Sequence, residues 1–273
     1  MVDGVPMLTS QGFDNNLVGV ERVEILRGPQ SALYGKNAEG GVLNIYTRQP
    51  DSVPYLRVDG ELGSRNKRLL RLDASHPLIN DRLYLGIAGQ FREQDGFIHD
   101  RYNGGWADDR KSYDGRAVIR WTPDERSDIS FRYSHINYRD GASVWGNIKG
   151  SRHEVNSGTS SWNRSEGEAF SLDMVHEFDS GISLRSITAK TDYHDRLKQD
   201  SDFMPAELFF LQRKYHLSNI SQEFRLSGDF REASWLVGVY ADKTDNNVSF
   251  TNKTLMSLQT INTSLEGHSV SLF

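Results

Sequence analysis

The sequence predicts an all-β chain whose antiparallel strands build the wall of a transmembrane barrel, and three observations predict it. Stretches of about ten residues alternate in polarity and stop at turn signals. Connections are short on one side and long on the other, the asymmetry of membrane barrels. Aromatic residues (Trp121, Phe178 and Trp235) stand beside short turns, where an interfacial girdle would lie. A helical membrane protein is excluded, because no apolar run approaches the roughly 20 residues a spanning helix needs. A mean hydropathy of −0.60 fits strands whose two faces average out as polar.

The first 50 residues read differently from the rest. Residues 20–26 alternate until Arg27-Gly28-Pro29 breaks the pattern, since proline fixes φ and removes a donor. A compact stretch at 30–37 leads to Gly40-Gly41 and a β-prone run at 42–47. Pro50 and Pro54 bracket a linker, because proline cannot continue a ladder in mid-sheet.

From Tyr55 the strands follow one another. Leu83, Leu85, Ile87, Gly89 and Phe91 share one face against Tyr84, Gly86, Ala88, Gln90 and Arg92. Tyr113, Gly115, Ala117, Ile119 and Trp121 oppose Asp114, Arg116, Val118 and Arg120. Phe170, Leu172, Met174, His176 and Phe178 oppose Ser171, Asp173, Val175 and Glu177. Ile220, Phe224 and Leu226 oppose Ser221, Glu223, Arg225 and Ser227, and Trp235, Val237, Val239 and Ala241 form another row. Residues 182–193 are strand-like in composition, but their faces are mixed and give no orientation. About ten strands result, the last at 268–273. Short connections are expected at 77–81, 123–127, 179–181 and 228–233, and long ones at 98–110, 141–165, 196–217 and 245–267. Only the first hairpin, turning near 63–65, departs from that rhythm.

The same rows suit a soluble β-sandwich binding module, in which the apolar face is a dry core. They also suit a small complete membrane barrel, a porin or adhesin. The short-long rhythm and the aromatic girdle favour a membrane barrel.

Residues 20–50, VERVEILRGPQSALYGKNAEGGVLNIYTRQP, resemble the end of the plug domain in TonB-dependent outer-membrane receptors. The matching elements are Val20-Glu21-Arg22-Val23-Glu24, Leu26-Arg27-Gly28-Pro29, Leu33-Tyr34-Gly35 and Gly40-Gly41-Val42-Leu43-Asn44-Ile45. Val2-Asp3-Gly4-Val5-Pro6 is similar to the family's "VDGVP" plug strand, and residues 222–227 and 235–240 to its barrel strands. The Tyr34-Gly35-Lys36 variant leading through Ala38 to Gly40-Gly41, and the Pro50-Asp51-Ser52 linker with Pro54, resemble those of siderophore receptors of the pesticin/yersiniabactin type. The resemblance implies that residues 1–50 are the C-terminal part of a plug and 51–273 the N-terminal portion of the barrel. Family barrels have about 22 strands around a plugged lumen. Such a wall needs on the order of 480 residues, so the chain is expected to be a fragment, lacking the front of the plug and the back half of the wall. Implied with the family are the bacterial outer membrane and its lipid, a ferric siderophore or related chelate as cargo, and the TonB complex as partner of the full-length protein only. No cofactor is implied, iron entering only inside its chelate.

The plug motif residues are Arg27, Gly28, Pro29, Tyr34, Gly35, Gly40, Gly41 and Asn44. Arg27 is expected to pair with inward carboxylates of the wall such as Glu177 or Glu223, since a guanidinium takes a carboxylate bidentately. A fully chelated iron needs aromatic faces and cations, not iron ligands, and loops are where these are displayed. Tyr102, Trp106, Trp145, Arg152, Trp162 and Arg213 are the candidates. No metal-ligating set is expected: eight histidines are scattered, none at helical zinc spacing. His99-Asp100 and His194-Asp195 form no catalytic dyad, because adjacent strand residues point to opposite faces. With no phosphate loop and no nucleophile elbow either, no enzyme is expected. A net charge of −5 argues against nucleic acid, and the absence of cysteine excludes disulfides and thiolate sites.

Overall fold

In a computed structural model, which describes residues 1–7, 18–29, 40–142, 153–231 and 233–273, the alternating segments form strands in the order they are read. β1 (Val20–Arg27) and β2 (Gly41–Thr47) make a separate antiparallel pair. The main sheet follows, with β3 (Tyr55–Gly63), β4 (Lys67–Ile79) and β5 (Leu83–Gln94). Two-residue β6 (His99–Asp100) lies in a loop before β7 (Arg110–Trp121) and β8 (Ser127–Asp140). β6 pairs in parallel with β9 (Glu154–Val155), which precedes β10 (Trp162–Glu177), β11 (Ser183–Asp200), β12 (Phe210–Phe230), β13 (Ala233–Lys253) and β14 (Leu258–Leu272). The ten long strands run β14-β13-β12-β11-β10-β8-β7-β5-β4-β3, all antiparallel, each beside its neighbour in sequence.

The two faces of this sheet are inverted relative to a soluble protein. Ile119, Phe131 and Phe224 are each 45% exposed and Val237 59%, while Asp173 is 7%, Glu223 6% and Ser165 2% exposed. A sandwich would bury the apolar rows between its layers. Here they are exposed on strand after strand, more than the scattered apolar residues of a soluble monomer's surface, and the polar rows of β10 to β12 are largely buried or half-buried. The outer face is therefore built for lipid and the inner face for a polar lumen. Trp121 and Phe178 remain exposed beside short turns, at the lower edge of the outer face.

Two connections are much shorter than the sequence pattern suggests. β11 continues to Asp200 and β12 begins at Phe210, so the loop expected at 196–217 is only 201–209. The loop expected at 245–267 is a turn over 254–257, and the last strand begins at Leu258 instead of His268. The reason is physical. Once a strand rises past the lipid both its faces meet water or polar groups, so the alternation that reveals it disappears. The unoriented segment at 182–193 belongs to β11, whose odd-numbered residues Ile187, Ala189, Tyr193 and Asp195 face inward and are buried. At the first hairpin Arg65 and Asn66 both have positive φ, 56° and 51°, as a two-residue turn matched to strand twist requires.

Candidate functional site

The N-terminal segment sits on the inner face. Val2 and Val5 close a tight turn by exchanging backbone bonds of 2.9 Å, and Asp3 occupies it at φ 47°, a region aspartate tolerates. Asp3 is fixed to β2: its Oδ1 accepts the Thr47 N–H at 2.8 Å and its Oδ2 the Thr47 hydroxyl at 2.7 Å. The same carboxylate lies 3.8 Å from Nε of Arg132 on β8. Arg132 also reaches Asp173 on β10 at 3.5 Å, and Asp173 takes Arg185 of β11 bidentately at 3.0 and 2.8 Å. Side chains of Asp3, Arg132 and Asp173 are only 8, 12 and 9% exposed, so these charges are shielded from water. Four alternating charges thus bridge the N-terminal segment to three adjacent strands.

A second bridge runs through the linker. Arg48 stacks 4.1 Å over the Tyr55 ring and stands 3.6 Å from Asp73 of β4. The carbonyl of buried Pro50 accepts from Arg120 of β7 at 3.1 Å, and Arg120 is itself paired with Asp128. Close packing accompanies the charges: a Cβ on Gly19 would come within 2.7 Å of Ala88, and one on Gly4 within 3.0 Å of Ile187.

The expected partners of Arg27 need correction. Glu223 is taken by Arg225, two residues along the same inward row of β12, and among the described residues no ion pair joins Arg27 to Glu177 or Glu223. Arg27 is exposed at the far end of β1. The ion pairs between the N-terminal segment and the main sheet are instead Asp3–Arg132 and Arg48–Asp73. The signal available in sequence was the aspartate of the VDG turn, which had no side-chain task of its own. Gly28 has φ 87° after β1, and Gly41 φ 140°, its absent Cβ leaving room for the Leu26 carbonyl; Gly40 is exposed, and Asn44 is buried in β2. Tyr34 and Gly35 lie outside the described residues.

At the long-loop end, buried aspartates tie three loops together. Asp100 accepts the backbone N–H of Tyr102 and Asn103 at 3.0 and 3.2 Å, and Asn103 donates to the Ser157 carbonyl at 2.6 Å. The Ser157 hydroxyl contacts Asp200, which also caps Asp202 and Phe203 at 3.0 and 3.1 Å. Tyr102 and Trp106 stay exposed on this rim, Trp106 edge-on to His99 at 5.7 Å. Nearby, burial pushes the Asp109 carboxyl above its ordinary range, and Asp108, Asp95 and Glu93 add like charge. Trp162 and Arg213 are not loop residues. Trp162 opens β10 on its outward row under Arg164, and Arg213 is an inward residue of β12 held by buried Asp195 at 2.5 Å. Trp145 and Arg152 fall outside the described residues.

An inside-out β-sheet with a chain segment seated on its polar face defines a plugged membrane barrel. A family model for the TonB-dependent receptor plug domain matches residues 1–42. In this matched segment and in the sheet that follows it, the chain is similar to TonB-dependent receptors of the outer membrane. It is 33% identical over 165 residues to the pesticin receptor of Yersinia pestis, a match covering 58% of this chain and 24% of that protein. It is also similar to the crystal structure of the ferric yersiniabactin uptake receptor of the same organism, at TM-score 0.85 and 26% identity over 99% of this chain and 43% of that one. The ferripyoverdine receptor of Pseudomonas aeruginosa shares the fold at TM-score 0.71 and 16% identity, across 99% of this chain and 42% of that one. The chain spans about a quarter of the length of the first curated relatives it matches.

Proposed function

We propose that the receptor to which this chain belongs takes up a ferric siderophore or a similar scarce chelate from outside the cell, with TonB acting on the plug to open the way. Residues 1–50 are then the C-terminal part of the plug and 51–273 the N-terminal portion of the barrel. The observation that carries this reading is the charged bridge from Asp3 through Arg132 and Asp173 to Arg185. An open pore needs no such bridge; a gated one needs a stopper held firmly yet by contacts that a pull can exchange for water. The relatives named above are receptors, and the role read here is binding and passage without chemical change of the cargo. On this reading Tyr102 and Trp106 meet the chelate first, a role supported by their exposure and by the aromatic area and cation–π capacity they offer.

The test is uptake of iron-55 chelates by cells that lack their own receptors and carry this one. A panel of phenolate, catecholate and hydroxamate chelates should yield at least one that accumulates, only in cells with intact TonB. Accumulation of none, or accumulation indifferent to TonB, overturns the proposal. Tyr102→Ala with Trp106→Ala should raise the half-saturating chelate concentration about tenfold, roughly the 1–1.5 kcal/mol that aromatic contacts supply.

A further inference from the structure

The outer wall carries a cluster that transport does not use. His194 of β11 and His216 of β12 are direct cross-strand partners, and Asp192 lies two residues from His194 on the same outward row. The imidazole rings are stacked at 4.1 Å and 4°. Both turn Nε2 to the same carboxylate, His194 at 2.9 Å from Oδ1 of Asp192 and His216 at 3.2 Å from Oδ2. We infer that Asp192, His194 and His216 form a binding site for a divalent transition-metal ion of the zinc class on the outer surface of the barrel.

The donor set has the right chemistry and convergence. Two imidazoles and one carboxylate are ligands that zinc, copper and nickel accept. Their ligand atoms all lie within 4.8 Å of one another. A tetrahedral zinc with bonds of about 2.0–2.2 Å holds its ligands roughly 3.3 Å apart, so small side-chain rotations complete the site while the paired backbones stay fixed. The set is open for metal entry: side chains of His194, His216 and Asp192 are 53, 38 and 36% exposed. Glu166, the partner of His194 on β10, offers another carboxylate on the same face.

Height on the wall explains why such a polar site is tolerated. His194 is eleven residues above the start of β11, about 36 Å along the strand and roughly 28 Å in height at a 40° tilt. The lipid-facing band is about 25 Å tall. The outward row of β10 agrees, passing from Met174, Leu172 and Phe170 to Glu168 and Glu166, and Glu168 is the partner of Asp192. The cluster therefore sits just above the hydrocarbon, at headgroup level, where an ion can reach it from water. A metal there would cross-link β11 to β12 at the point where lipid no longer supports them.

Zinc titration of the untagged receptor in detergent, read by competition with a chromophoric chelator, tests the site. The wild type should bind one equivalent that the His194→Ala/His216→Ala double variant loses, and Asp192→Asn should weaken it at least tenfold. His176→Ala, lower on the wall, should leave that equivalent in place. Cobalt should give a visible ligand-field absorption present in the wild type and absent from the double variant. Should the double variant fail to fold, protection of wild-type histidines from diethyl pyrocarbonate decides: zinc should shield His194 and His216 and leave His176 reactive. Equal zinc uptake by folded wild type and double variant, or no zinc-dependent protection of the pair, overturns the inference.

Discussion

Replacing Asp3 by asparagine isolates the charge of the plug contact from its shape. Asparagine tolerates the same positive φ, occupies the same volume and can still accept the Thr47 N–H. Three things are lost. The two bonds to Thr47, at 2.8 and 2.7 Å, become neutral, and a charge-assisted bond exceeds a neutral one by about 1 kcal/mol. The pair with Arg132 at 3.8 Å disappears as well. That guanidinium keeps Asp173, so the penalty stays below the roughly 3–5 kcal/mol of a wholly orphaned buried charge. A total of about 2–4 kcal/mol is expected, equivalent to about a 30- to 1,000-fold rise in the unseated fraction of the plug. Asp3→Ala should go further, because it also gives up both acceptors and the tolerance of left-handed backbone. The assay is passive leak, read as single-channel conductance in planar bilayers and as susceptibility of cells to antibiotics too large for porins. Leak should rise in the order wild type, Asp3→Asn, Asp3→Ala. Wild-type leak in both variants, with each shown to be folded, would refute the assignment of Asp3 to plug seating.

Other perturbations probe separate parts of the structure. Gly41→Ala places a Cβ 2.5 Å from the Leu26 carbonyl at φ 140°, and should cost about 1–3 kcal/mol, visible as faster proteolysis of the β1–β2 pair. Asp200→Ala frees the backbone N–H groups of Asp202 and Phe203 and leaves the Ser157 hydroxyl only the Thr159 carbonyl; protease cleavage within 201–209 should accelerate about tenfold or more, while strand content by circular dichroism is unchanged. Asp109, whose pKa is raised in the fold, contributes stability that is present below its ordinary value of 3.8 and lost as pH rises through the folded value. Asp109→Asn should therefore raise the melting temperature at pH 7 and flatten its decline between acid and neutral pH; an unchanged profile would contradict the burial of that carboxyl. Asp124, in the turn after β7, is shifted the other way by the Arg126 N–H and by Ser127. Its contribution is present above 3.8 and fades only as pH falls through the lower folded value, so Asp124→Asn should steepen no part of the neutral range.

How much of this could be read from residues alone depended on whether water or lipid stood on one side of the strand. Where lipid did, as along Phe170, Leu172 and Met174, period-two alternation marked the strand, its faces and its register. Above the lipid the same strands carry polar residues on both sides, as in β13 with Asp, Asn, Ser and Thr from Thr244 to Asn252, and nothing periodic remained to mark them. That loss turned paired backbone into expected loop and placed Arg213 and Trp162 among ligand candidates when the first is spent on Asp195 and the second on Arg164.

Residue pairs that act together were hidden for a different reason. Spacing along a chain exposes partners in a helix, where three or four residues make a turn, but in an antiparallel sheet the separation between partners depends on where each hairpin turns. Arg132 and Asp173 are 41 positions apart and His194 and His216 are 22, and neither distance carries meaning until the connections at 141–161 and 201–209 are known. Helical spacing gives no hint of His194 and His216 for that reason. The plug contact was hidden more deeply still, because Asp3 meets Arg132 through the seating of one segment on another and not through any ladder. A test follows from the difference. Inserting one residue into 201–209 should leave the β11–β12 ladder and its register intact, since the loop can absorb it. Inserting one residue into β11 between Thr191 and Asp192 reverses which face His194 occupies, and should abolish zinc binding while the Asp3 bridge below it, and hence passive leak, remains as in the wild type.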